Sequence, residues 1–249
     1  PHARRDYDSI EARYVKRYGN RWYMDASYLW SRLFGNYNGL ANSDELRVAA
    51  NNDIAGAGND PRPPGGGRTS PNVNRAFDLI YDSYKQDGTL NYGLLPVDRT
   101  HQVKVSASYS FPFNLNAGVF FYGASGTPQT TQTNIAGSVP VFYKGRGDLG
   151  RTDTLTQTDL YLTYDIKAGG SKRVQISANV TNVFDQDAVT GIFPTRYLDR
   201  VVISNPAFFA GFDAEALGTA QARRPDPRYN QPYLYQYPRE IRLGVKFAF

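Results

Sequence analysis

The chain has no cysteine, a single methionine and only two histidines, His2 and His101. The first absence excludes a disulfide framework and any thiolate-ligated metal. The two histidines lie too far apart in sequence to form a metal-ligand spacing. No apolar run approaches the roughly 18 residues of a membrane-spanning helix, and the mean hydropathy of −0.52 reads as soluble. That average does not exclude a transmembrane β-barrel, in which apolar and polar residues alternate and cancel in any window. The net charge is +5, yet Lys and Arg are interleaved with acids and never run longer than a pair. The continuous basic stripe of a nucleic-acid partner is missing, so none is expected. Catalytic signatures are absent too: there is no nucleophile elbow, no paired histidines and no phosphate-cradling glycine loop opening a helix. Gly65-Gly66-Gly67 after Pro63-Pro64 reads as a turn. No enzyme activity, cofactor or metal is expected.

What the chain does have is tyrosine (19) and phenylalanine (14), set into segments whose apolar period is two. The last is the clearest. Across 238–249, Ile241, Leu243, Val245 and Phe247 alternate with Glu240, Arg242, Gly244 and Lys246. Strand side chains point to opposite faces in turn, so one face is wholly apolar and the other is charged. The same alternation predicts strands over 6–16, 22–34, 98–111, 115–127, 153–167 and 173–184, for example Trp22, Met24, Ala26, Tyr28 and Trp30 against Tyr23, Asp25 and Ser27. Phe120 and Tyr122 blur the polar side of 115–127. Glu11, Arg13, Asp25, Lys104, Asp159, Asp165, Arg242 and Lys246 fall on the polar face.

The connections sort by length. Short ones (17–21, 112–114, 168–172) alternate strictly with long ones (35–97, 128–152, 185–237). One end of the sheet is trimmed and the other elaborated, as in outer-membrane barrels with their tight periplasmic turns and long extracellular loops. Tyr14, Trp22, Phe111 and Phe249 fall at the short-turn end, and Tyr28, Trp30 and Phe184 near the long-loop end. That is the two-girdle arrangement, about 25 Å apart, of a lipid-facing wall. The expected class is all-β: the C-terminal portion of an antiparallel transmembrane β-barrel, with Ile241, Leu243, Val245 and Phe247 facing lipid. With neither an initiator Met nor a signal peptide before Pro1, the chain is expected to be a piece of something longer.

Tyr237-Pro238-Arg239-Glu240 followed by alternation to Phe249 resembles the closing strand of TonB-dependent receptors. Asn182-Val183-Phe184-Asp185, one long loop earlier, is similar to that family's Asn-Leu-Phe-Asp element. Arg68-Thr69-Ser70-Pro71-Asn72, Asn74-Arg75-Ala76-Phe77-Asp78 and Leu95-Pro96-Val97-Asp98-Arg99-Thr100-His101-Gln102 resemble the Oar-like group within it. The resemblance implies the last seven strands of a barrel of about 22, with loops 35–97, 128–152 and 185–237 outside the cell. The plug and N-terminal domains lie outside 1–249. It further implies residence in the bacterial outer membrane and contact with its lipid, energised uptake through the TonB complex, and reading of Phe249 by the barrel-assembly machinery.

The loops carry the candidate ligand chemistry. Tyr81, Tyr84 and Tyr92 lie in the first, beside Asp53, Asp60, Asp78, Asp82 and Asp87. Tyr197, Arg200, Phe208, Phe209 and Phe212 lie in the third. Aromatic-plus-polar loops suit a glycan, peptide or siderophore, although the same residues also serve to pack the loops onto each other. The aspartates lack an EF-hand register for calcium. Two other classes use similar strands: a passive porin or adhesin barrel, and a soluble β-sandwich enzyme or carbohydrate-binding module.

Overall fold

The computed structural model describes residues 4–36, 83–135, 139–170 and 172–248. In chain order its elements are β1 (Arg5–Gly19), β2 (Trp22–Gly35), β3 (Gly93–Leu94), β4 (His101–Ser110), β5 (Leu115–Ala124), β6 (Thr133–Ile135), β7 (Val139–Val141), β8 (Leu155–Lys167), β9 (Arg173–Thr181), β10 (Val189–Ile192), α1 (Asn205–Ala210), α2 (Ala214–Ala220), β11 (Pro232–Tyr235) and β12 (Glu240–Ala248).

Seven long strands form one antiparallel meander in the order β1-β2-β4-β5-β8-β9-β12, with β3 paired to the long-loop end of β2. Each long strand pairs with the next long strand of the sequence, because a short turn or an out-and-back loop brings its neighbour alongside. The β1–β2 turn needs only Asn20 and Arg21, both left-handed at φ 53° and 70°. Positive φ at both central residues gives the turn whose twist matches the strands it joins. The longer β8–β9 turn carries Gly169 and Gly170 with positive φ, at 92° and 60°.

The register fixes the faces. Leu243 sits opposite Ala178, Ala178 opposite Leu162, Leu162 opposite Ala117, Ala117 opposite Tyr109 and Tyr109 opposite Trp22. Cross-strand partners share a face, so this row crosses six strands on one side. It begins midway along β12 and ends at the first residue of β2, the stagger of a tilted barrel wall. No second layer covers this face among the described residues: Leu243 is 80% exposed and Phe247 68%. A sandwich would bury such a face beneath a second sheet. Here the single-layered sheet leaves a broad apolar band exposed.

The opposite face is polar and partly self-neutralised. Arg13 pairs with Asp25 at 2.6 Å, and Arg242 with Glu240 at 2.6 Å. Gln175 donates to Asp165 at 2.9 Å and Gln157 to Asp159 at 2.9 Å. Phe120 lies on this face beside Asp159 and Ser106, which accounts for the blurred alternation there. Among the described residues the enclosed hydrophobic cluster sits not under the sheet but in the loops beyond its long-loop end.

Candidate functional site

All three long connections contribute to that cluster. Ile135 of β6, Val141 of β7, Tyr143, Tyr197, Val201, Phe208 of α1 and Ala214 of α2 are buried together, and Tyr84, Ile203, Phe209, Phe212 and Leu217 pack against them. Local chemistry sets the two helices. Ser204 caps α1, accepting from Ala207 N, with proline in the first turn; the Asp213 carboxylate caps α2, accepting from Glu215 N at 2.9 Å and Ala216 N at 3.0 Å. Such caps satisfy helix N–H groups that would otherwise lack partners. The ring of Phe208 then meets Phe209 at 5.0 Å and Phe212 at 5.2 Å, and Tyr84 approaches Phe209 edge-on at 5.3 Å.

Helix α2 lies directly on Tyr197. A Cβ built at Gly218 would stand 2.6 Å from Tyr197 Cζ and 2.7 Å from its hydroxyl, and the ring is enclosed, so it has little room to yield. Gly218→Ala is expected to cost about 1–3 kcal/mol of cap stability. Limited proteolysis of the full-length protein should show faster cleavage within 185–237, with no change in the wall strands.

Charge-assisted contacts join the loops around the aromatic centre. Lys144 bonds Glu215 at 2.7 Å. Thr131 donates its hydroxyl to Asp148 at 2.5 Å and accepts from Tyr229 at 2.7 Å. Arg196 lies over the rings of Tyr197 and Tyr229, at 5.6 and 5.1 Å. Asp199 holds Arg224 through both oxygens at 2.8 and 3.0 Å, and Asp226 holds Arg228 likewise. These partners hold the carboxyls of Asp199, Glu215 and Asp226 below the usual range, chiefly through the side-chain hydrogen bonds from Arg224, Lys144 and Arg228. Burial pushes the Tyr143 hydroxyl well above its ordinary value, with Glu215 acting in the same sense.

The depressed carboxyls set a direction for pH. The folded cap binds protons less readily than the unfolded loops, so its stability is complete above about pH 4 and falls as pH drops through the folded values. Hydrogen exchange across 196–229 is expected to be flat from about pH 5 to 8 and to quicken below about pH 4, once corrected for intrinsic rates. Quickening on the alkaline side instead would overturn the assignment.

At its base the cap is bound to the wall by Asp98, whose side chain is fully buried. One oxygen accepts the Leu33 amide of β2 at 2.6 Å, and the other accepts Arg151 at 2.5 Å. A second junction explains the paired motifs at the end of the chain. Asn182 and Asp185 both adopt left-handed backbone, at φ 52° and 54°, which Asn and Asp tolerate better than most residues. The Asn182 amide group donates to the carbonyls of Gln186 and Tyr237 at 2.8 and 2.9 Å, and Asp185 accepts from the Arg239 amide at 2.8 Å. The two motifs are the halves of one clasp joining the outer ends of β9 and β12.

The aromatic candidates divide. Tyr197 and Phe208 are enclosed in the cluster and Tyr84, Phe209 and Phe212 pack against it, so these five hold the loops to one another. Tyr92 and Arg200 are exposed on the loop surface. Tyr81 and Phe249 lie outside the described residues, as do Asp53, Asp60, Asp78 and Asp82. The Asp87 carboxylate is engaged by Thr89 at 2.6 Å and by Lys85 at 3.3 Å. Among the described residues no group of acidic or histidine side chains has metal-binding geometry. Sequence reasoning missed both helices, for which Ser204-Asn205-Pro206 and Asp213-Ala214-Glu215 were the available capping signals. It also missed the Asp98 junction.

No family model matches the chain. Over 268 aligned positions, 98% of this chain, it is 27% identical to the TonB-dependent transporter Oar of Myxococcus xanthus. The match takes in 22% of that protein, so the chain spans about a fifth of its relative's length. The resemblance to Oar-like transporters seen in the residue motifs is thereby borne out.

Proposed function

We propose that these residues form part of the wall and the outer loops of an outer-membrane TonB-dependent transporter. The observation that carries the reading is the apolar band exposed along one side of a staggered seven-strand meander whose long connections all lie at one end. Lipid is the medium that such a face fits. The long-loop end then lies outside the cell, and the polar face lines the lumen against a plug supplied by the longer protein. Energy reaches that plug from the TonB complex.

The loops, on this reading, capture a glycan, peptide or siderophore. Tyr92 and Arg200 are the surface candidates for contact, presented on a cap whose own aromatics hold it rigid. The chain's contribution is binding and passage rather than catalysis.

A passive porin or adhesin would use the same wall. Two measurements on the full-length protein separate these readings. Membrane fractionation with heat-modifiable gel migration tests the barrel, and a freely soluble monomer would overturn it. Uptake of candidate substrates by cells with and without TonB tests the energised step. Transport is expected to stop without TonB, whereas undiminished passage in its absence would favour the porin.

A further inference from the structure

Charge is distributed unequally between the two ends of the sheet. At the long-loop end, cations stand beside acids in pairs: Arg151 with Asp98, Lys144 with Glu215, Arg224 with Asp199, Arg228 with Asp226. At the short-turn end the pattern differs. Lys16, Arg17 and Arg21 surround the β1–β2 turn, and Lys167, Lys172 and Arg173 surround the β8–β9 turn, with no acid in 14–24 or 166–174. Among the described residues none of these six makes an ion pair.

The first of these clusters also carries aromatics on the apolar side. Tyr14 pairs with Ala26 and Lys16 with Met24, placing both on the face that runs to Leu243. Trp22 stands opposite Tyr109. Phe111 lies between Tyr109, which it meets edge-on at 4.7 Å, and Phe113, tilted at 5.3 Å. Tyr18 is 62% exposed and Phe113 57%. Tyr and Trp rings favour the boundary between hydrocarbon and headgroups.

Lys16 shows how a cation is accommodated in this band. Its ammonium bends back to the carbonyls of Arg17 at 2.8 Å and Gly19 at 3.1 Å, and lies 4.6 Å from the centre of the Trp22 ring. The stem covers apolar surface while the charge reaches the rim, as a long cationic side chain does at a membrane interface. Arg17 and Arg21 are exposed beyond it. A guanidinium offers donors in a fork that matches phosphate oxygens.

We infer that the rim around the β1–β2 turn is a binding surface for anionic phospholipid headgroups of the leaflet it enters. The positive charge selects a net-negative headgroup over a zwitterionic one, and the aromatics set the depth at which the phosphate meets Arg17 and Arg21. An acidic protein partner would need the cations displayed away from the apolar face, whereas here they continue its aromatic band. The inference rests on the reading of the apolar face as lipid-facing.

The test uses the full-length protein in lipid nanodiscs of phosphatidylethanolamine, with phosphatidylglycerol as a minor component. Native mass spectrometry reads which lipids remain bound. The unaltered protein is expected to retain phosphatidylglycerol preferentially. Arg17→Gln with Arg21→Gln should weaken that preference about tenfold or more, Arg17→Lys with Arg21→Lys should keep most of it, and Arg223→Gln with Arg224→Gln on the outer loops should leave it intact. An unchanged preference in the glutamine variant overturns the inference, as does retention of an acidic protein instead of lipid. Heat-modifiable migration of each variant separates the two layers of the argument. If the unaltered protein lacks it, the barrel reading itself fails; if all variants show it without lipid preference, the headgroup surface alone fails.

Discussion

Leu243→Arg is expected to lower the stability of the membrane-inserted protein by about 2–4 kcal/mol, while Lys246→Arg three residues along β12 stays within about 0.5 kcal/mol. The contrast separates two environments that exposure to solvent alone does not distinguish. Leu243 is 80% exposed. On a soluble sheet a residue so exposed accepts arginine at almost no cost. In hydrocarbon the same guanidinium must be stripped of water or must deform the bilayer to reach it. Lys246 already carries a charge on the other face, so arginine changes little there. Denaturant unfolding of the full-length protein in lipid vesicles, followed by loss of heat-modifiable migration, gives both numbers. Equal effects at the two positions would mean that the faces are misassigned. A negligible effect at Leu243, with a stable fold, would mean that lipid does not cover this face.

The faces were legible because strand alternation is a local property. Each segment carries its own period of two, and the register in the structure only had to align apolar positions already sorted by sequence. Strand ends were less legible, since they depend on what the chain meets next. The alternation that begins at Arg173 runs on to Phe184, yet β9 stops at Thr181 because Asn182 turns left-handed to bind Gln186 and Tyr237. Likewise Pro238 and Arg239 fit the pattern of β12 but precede it, the Arg239 amide being taken by Asp185.

The loop cap was illegible for a different reason. Its interior joins residues from separate connections, such as Tyr84 with Phe209 and Lys144 with Glu215, and no periodicity relates them. Composition marked these loops as aromatic, which fits a binding surface and a packed core equally well. Burial sorts these residues between interior and surface. Tyr197 and Phe208 lie inside the cluster, and Tyr92 and Arg200 at the surface. The helix caps were readable locally, but a long connection between strands gave no reason to look for helices within it.

The junction at Asp98 yields the second large effect. Its carboxylate serves two groups that have no ready substitute: the Leu33 amide at 2.6 Å and the Arg151 guanidinium at 2.5 Å. Arg151 also donates to the carbonyls of Asp98 and Gly126, at 3.2 and 2.7 Å, and to the Thr100 hydroxyl at 2.9 Å. One side-chain pair thus joins β2, the approach to β4 and the base of the 128–152 loop. Removing one partner of a buried ion pair costs about 3–5 kcal/mol. Arg151 keeps 28% of its side chain in water, so Asp98→Ala is expected near the lower bound, about 3 kcal/mol. Asp98→Asn preserves an acceptor for the Leu33 amide but turns an NH2 group toward Arg151 and so loses that hydrogen bond, while Arg151 keeps its bonds to the Asp98 and Gly126 carbonyls and the Thr100 hydroxyl; about 1.5–3 kcal/mol is expected. The loss should be local, because the wall strands keep their ladders while the loops lose their anchor. Hydrogen exchange should therefore accelerate at Leu33 and through 128–152, with β8 and β9 unchanged. Equal, negligible effects of alanine and asparagine would show that the cap is held to the wall by its aromatic contacts and not by this ion pair.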